Sequence, residues 1–69
     1  MKTTVTFRVY ELPSINPETS EEERGEFLFS FLDEFEGPSA VEVNEKVACF
    51  LSQYQEKENV DIRVWEVKQ

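Results

Sequence analysis

The chain predicts a small single α+β domain spanning residues 1–69. Three observations carry that expectation. Apolar residues alternate with polar ones near both ends, which reads as strands. An apolar stripe at helical spacing occupies the middle, and 69 residues leave room for one core only. The expected order is β-α-(short β)-α-β, with the two long terminal strands in one sheet. A β-α-β-β-β order is the alternative.

Thr3 to Leu12 is the first expected strand. Val5, Phe7 and Val9 alternate with Thr4, Thr6, Arg8 and Tyr10, and threonine, valine and aromatic residues suit a pleated surface. Pro13 ends it, and the polar stretch SINPET connects onward. Ser20 is expected to open a helix. Its hydroxyl is placed to accept from the Glu23 N–H while the Glu23 carboxylate reaches back, a capping box. Glu21 and Glu22 suit the positive end of the helix dipole. Phe27, Leu28, Phe31, Leu32 and Phe35 then follow at i, i+1, i+4, i+5 and i+8, and Gly37-Pro38 closes the element.

The next segment has two readings. In the preferred one, Ala40 to Val43 is a short strand and Asn44 caps a second helix. Val47, Phe50, Leu51 and Tyr54 then share one face, with Asn59 near the end. In the other, Val41, Val43, Val47, Cys49 and Leu51 alternate in a hairpin turned near Asn44-Glu45-Lys46. Cys49 separates the two, because it faces away from the helical stripe but joins the apolar row of the hairpin. Val60, Ile62 and Val64 alternate with Asp61, Arg63 and Trp65, giving a closing strand through Val67.

Composition excludes several kinds of chemistry. The chain has no histidine and one cysteine, so there is no intrachain disulfide, no structural zinc set and no histidine-activated nucleophile. Gly25 and Gly37 are the only glycines, and neither lies in a phosphate-binding loop. The E-E-E run lacks the spacing of a calcium loop. No catalytic residue, metal site or cofactor is expected, and the chain is not read as an enzyme. No apolar run reaches the ~18 residues of a membrane span, and the N-terminus lacks the core of a signal peptide. The expected location is the cytoplasm. A core this small typically supplies only ~3–5 kcal/mol, so self-association is an expected support.

Charge is the most informative feature. The formal net charge is −8. From Glu11 to Glu45 eleven acids face one base, Arg24, giving −10; the remainder holds four acids and six bases, giving +2. On a helical wheel Glu22, Glu26 and Asp33 align opposite the apolar stripe, flanked by Glu23, Glu34 and Glu36. With Glu18 and Glu21 they form the expected partner-binding surface, and Phe29 beside them is its candidate apolar anchor. Such a surface fits a basic partner. Arg8, Tyr10, Arg63 and Trp65 fall on the outer face of the terminal strands and form the candidate seam of a homodimer. The net charge argues against direct binding of nucleic acid.

A tiny, histidine-free, acidic α+β chain with Glu18, Glu21, Glu22, Glu23, Glu26, Asp33, Glu34 and Glu36 crowded together resembles the DNA-mimic inhibitors made by bacteriophages. The resemblance lies in size, charge and composition, with no shared motif. It implies a non-enzymatic inhibitor, acting in a host bacterial cell, that occupies the nucleic-acid groove of a basic host protein. Targets of that class include HU-type nucleoid proteins, restriction enzymes, CRISPR effectors and uracil-DNA glycosylase. The alternative is a small regulatory interaction module that uses its aromatic sheet face.

Overall fold

In the computed structural model, which describes all 69 residues, the elements run β1 (Lys2–Tyr10), β2 (Ser14–Ile15), β3 (Glu22–Glu23), β4 (Phe27–Glu36), α1 (Ala40–Glu58) and β5 (Asp61–Lys68). The class is α+β, and the two terminal strands are neighbours in one sheet, as the alternation at both ends implies. That sheet has the order β4-β1-β5, and β1 is antiparallel to both neighbours. β4 and β5 therefore run parallel to each other, and α1 crosses over β1 to connect them. This places β1 at the centre of the fold. Its inner row, Thr3, Val5, Phe7 and Val9, is buried, and Ile62 of β5 completes the core cluster.

The helix expected from Ser20 does not form; Phe27–Glu36 is a strand instead. Three residues of the helical stripe, Phe27, Phe31 and Phe35, also share odd positions with Phe29, so the segment carries a period of two as well, which Leu28 and Leu32 interrupt. Tertiary pairing decides between the two. As a strand the segment gives β1 its second neighbour, with Thr3 opposite Phe35 and Phe7 opposite Phe31. Aromatic residues gain from such cross-strand placement. The capping box fails as well. Ser20 has a positive φ of 60° and its N–H donates to the Asn16 carbonyl, at 2.8 Å, so it turns a hairpin rather than starting a helix.

The single helix begins earlier than Asn44. Ser39 is its N-cap, with its hydroxyl accepting from the Glu42 N–H, so Ala40 to Val43 is the first helical turn and not a short strand. The hairpin reading of this segment fails too, and Cys49 is exposed as the helix requires. Asn59 ends the helix in the left-handed conformation (φ 55°), donating its N–H to the Gln55 carbonyl. Val43, Val47, Phe50, Leu51 and Tyr54 form the face laid on the sheet. Phe50 is the hub: its ring centroid lies 5.0 Å from Phe7, 5.6 Å from Phe35 and 5.7 Å from Tyr54. Aromatic pairs at such separations add to what burial alone contributes.

β1–β2 and β3–β4 form one long hairpin. Backbone bonds from Glu11 N to Glu26 O and from Asn16 N to Glu21 O carry the pairing past β1 to the tip, and Gly37 N to Met1 O closes the other end. A strand from Met1 to Asn16 covers roughly 53 Å, which matches the 50 Å long axis of the molecule. The 19-residue helix is only about 28 Å long. The far end of the hairpin therefore extends beyond the helix as an arm. The Cα radius of gyration is accordingly 14.4 Å, against about 11 Å for a compact chain of this length.

Candidate functional site

Gly25 marks the joint of the arm. A Cβ there would lie 1.9 Å from the Glu11 carbonyl oxygen, so the two strands cross too closely for any side chain. Beyond the joint, Ser14 pairs with Glu23 and Ile15 with Glu22. The tip is held by the Asn16 side chain, whose oxygen accepts from the Glu18 N–H at 2.9 Å and whose amide donates to the Glu23 carboxylate at 3.1 Å. The Thr19 hydroxyl oxygen also accepts from the Glu21 N–H. The arm, residues 11–26, carries Glu11, Glu18, Glu21, Glu22, Glu23 and Glu26 against Arg24, which is six acids and one base, or −5. The ion pairs of the protein are Lys2–Glu34, Arg63–Asp61 and Lys68–Glu66, so none of the arm's carboxylates is neutralised by a neighbour.

The expected acidic surface is thus divided. Glu18, Glu21, Glu22, Glu23 and Glu26 lie together on the arm. Phe29, Asp33, Glu34 and Glu36 lie on β4, along the body. Glu22, Glu26 and Asp33 do not form one row, because a strand spreads them where a helix would stack them. Glu26 and Glu36 stand about 33 Å apart along the strand. One of the body acids is countered, since Lys2 pairs with Glu34 at 3.4 Å, while the Lys46 ammonium donates to the backbone carbonyl of Glu36. Phe29 is half-exposed on the helix side of β4, 6.2 Å from the Phe31 ring and far from the tip acids. The apolar side chains beside the acids are Leu12 and Ile15, and Ile15 is 71% exposed. A lone isoleucine in a polar stretch carries no periodic signal, so sequence reading passes over it.

The open face of the sheet does gather Arg8, Tyr10, Arg63 and Trp65. Two β-bulges shape it. Between Thr6 and Phe7 the register of β5 skips Trp65, and between Val9 and Tyr10 that of β4 skips Leu28. The second bulge turns Phe27 to the open face, where its ring meets Tyr10 at 5.6 Å. The Arg8 guanidinium lies 3.6 Å from the Trp65 ring and 5.4 Å from Phe27, and it has no carboxylate partner. Arg63 lies 6.0 Å from Tyr10 and is paired with Asp61 at 3.1 Å. Phe27 is the member of this group that the helical reading hides.

A shallow cleft of ≈ 470 Å³ separates the base of the arm, at Leu12 and Pro13, from Ser52, Gln55 and Glu56 of α1. No group of three or more cysteine and acidic side chains is arranged to hold a metal ion. No helix is long and apolar enough to cross a membrane.

No family model, curated protein or solved structure matches the chain. The reading of function therefore rests on the two surfaces themselves.

Proposed function

We propose that this chain is a non-enzymatic binding protein that uses its acidic arm to occupy the nucleic-acid-binding surface of a basic protein. The observation that carries the proposal is the placement of five nominated carboxylates on a projecting hairpin with no ion-pair partner. A ribbon two strands wide enters a groove shaped for a nucleic-acid backbone more readily than the helix-covered body does. In an extended chain alternate residues, such as Glu21 just before β3 and Glu23 within it, step by roughly 6.7 Å, about twice the axial rise per nucleotide of a DNA strand. Ile15 beside Glu22 supplies the apolar contact. Unscreened charge of this kind speeds encounter and makes affinity fall with salt.

The test is capture of a bacterial basic DNA-binding protein of the HU type on the immobilised chain. The expected result is release by moderate salt, displacement by duplex DNA, and loss of capture when Glu18, Glu21 and Glu22 are replaced by lysine. Capture that ignores both salt and the three replacements would remove the arm from the function.

A second reading is supported by Arg8. A guanidinium flanked by Trp65 and Phe27 and free of carboxylates suits a regulatory interaction module that docks through the open face. Trp65→Ala would then abolish binding, whereas charge changes on the arm would do little.

A further inference from the structure

The two edges of the sheet differ in how they are protected. β5 is interrupted by the bulge at Trp65, and charges occur along its length, with Arg63 bound to Asp61 and Lys68 to Glu66. Bulges and alternating charges are the usual means of stopping an edge strand from pairing again. β4 is longer, at ten residues, and its first six, Phe27 to Leu32, hold no charge, no proline and no lysine. Its only bulge is at Leu28, so Phe29 to Glu36 is a regular strand with no strand partner on its outer side; there the Glu34 N–H is held by the Asp33 carboxylate and the Glu36 carbonyl by the Lys46 ammonium, both of them contacts from flexible side chains. Leu28, Phe29 and Leu32 are exposed on its two sides, Leu32 at 67%.

Extended backbone is the chemistry that completes an edge, and the sequence of β4 selects which strand. Its acids, Asp33, Glu34 and Glu36, all lie in one half. Parallel pairing with itself in register would set Asp33 against Asp33 and Glu34 against Glu34, which is destabilising. Antiparallel pairing about Leu32 sets Asp33 opposite Phe31, Glu34 opposite Ser30 and Phe35 opposite Phe29. No acid then stands directly opposite another, and the two Leu32 side chains meet on the two-fold axis. Residues directly opposite share a face, so both helices lie on one side of a continuous six-stranded sheet.

We propose that β4 is a self-pairing edge and that the protein forms an isologous dimer by antiparallel β4–β4 addition centred on Leu32. This interface is distinct from the arm and from the Arg8–Trp65 face. It places two arms in one particle, so a failure of the arm to bind any basic protein would leave it intact.

The experiment is sedimentation equilibrium of the full chain from low micromolar to submillimolar concentration. The expected parent mass rises to twice the 8.1 kDa chain. Leu32→Lys, which puts two like charges on the axis at a position largely exposed in the monomer, raises the dimer dissociation constant by about tenfold or more. Trp65→Ala leaves it unchanged. Should Leu32→Lys fold poorly by circular dichroism, Leu32→Cys in a Cys49→Ser background gives the second measurement. Oxidation then links two chains across the axis, whereas Glu36→Cys in the same background does not. A parent that stays at 8.1 kDa throughout, a Leu32→Lys chain that dimerises like the parent, a dimer lost with Trp65→Ala, or equal cross-linking from both cysteine positions overturns the proposal.

Discussion

One hairpin has two halves here, and they live in different solvents. In the body half, β1 and β4 lie beneath α1, and Val5, Phe7 and Val9 are shut away from water. In the arm half the two chain segments continue through Glu11–Glu26 to Asn16–Glu21 with no helix laid on them, and their large aliphatic side chains are Leu12 and Ile15. The switch occurs where α1 ends. A strand pair alone is marginally stable in water, so the arm depends on being a continuation of a buried ribbon. The lesson concerns division of labour: the body supplies stability, and the arm is free to concentrate like charges.

The comparison is broken most severely from the body side. Phe7→Ala removes the ring that Phe31, Phe35 and Phe50 surround. It should cost about 3–5 kcal/mol, comparable with the whole stability of a small core, so urea titration by circular dichroism should find the variant largely unfolded. Gly25→Ala acts at the joint. Its methyl group meets the Glu11 carbonyl, and relief requires the strands to part. The expected cost exceeds ~1 kcal/mol, and amide exchange should show lost protection at Glu11 while Val5 and Phe7 keep theirs. Replacing Glu18, Glu21 and Glu22 by glutamine is the mildest change. Surface substitutions of this kind stay within about 0.5 kcal/mol each, so the urea midpoint should barely move while the salt dependence of partner binding weakens.

Much of the frame was legible from residues alone. Val5, Phe7 and Val9 announced β1, Ile62 and Val64 announced β5, and Asn59 marked the end of α1. The segment from Phe27 to Phe35 reads as a helix yet folds as a strand, because its phenylalanines fit a period of two while, with the leucines, they also fit a helical stripe. What decides is a need that lies outside the segment: β1 requires a neighbour on each side. Ser20 and Glu23 have the spacing of a capping box, yet that spacing cannot show whether a helix follows. For the site, the excess of acid was plain, and the grouping of Arg8, Tyr10, Arg63 and Trp65 followed from alternation. The location of the acids was not, since it depended on the misread segment. Phe27 and Ile15 gave no signal, because one is re-aimed by a bulge and the other stands alone.

The position of β1 between two partners also governs the order in which the chain can assemble. β1 and β4 belong to one hairpin and can close early. The second side of β1 must wait, because Thr4 pairs with Lys68 across almost the entire chain. Pairings so distant in sequence close slowly. Until β5 arrives, the strand that ends most buried in the molecule keeps one flank open, and that interval is when association between unfinished chains would be hardest to prevent.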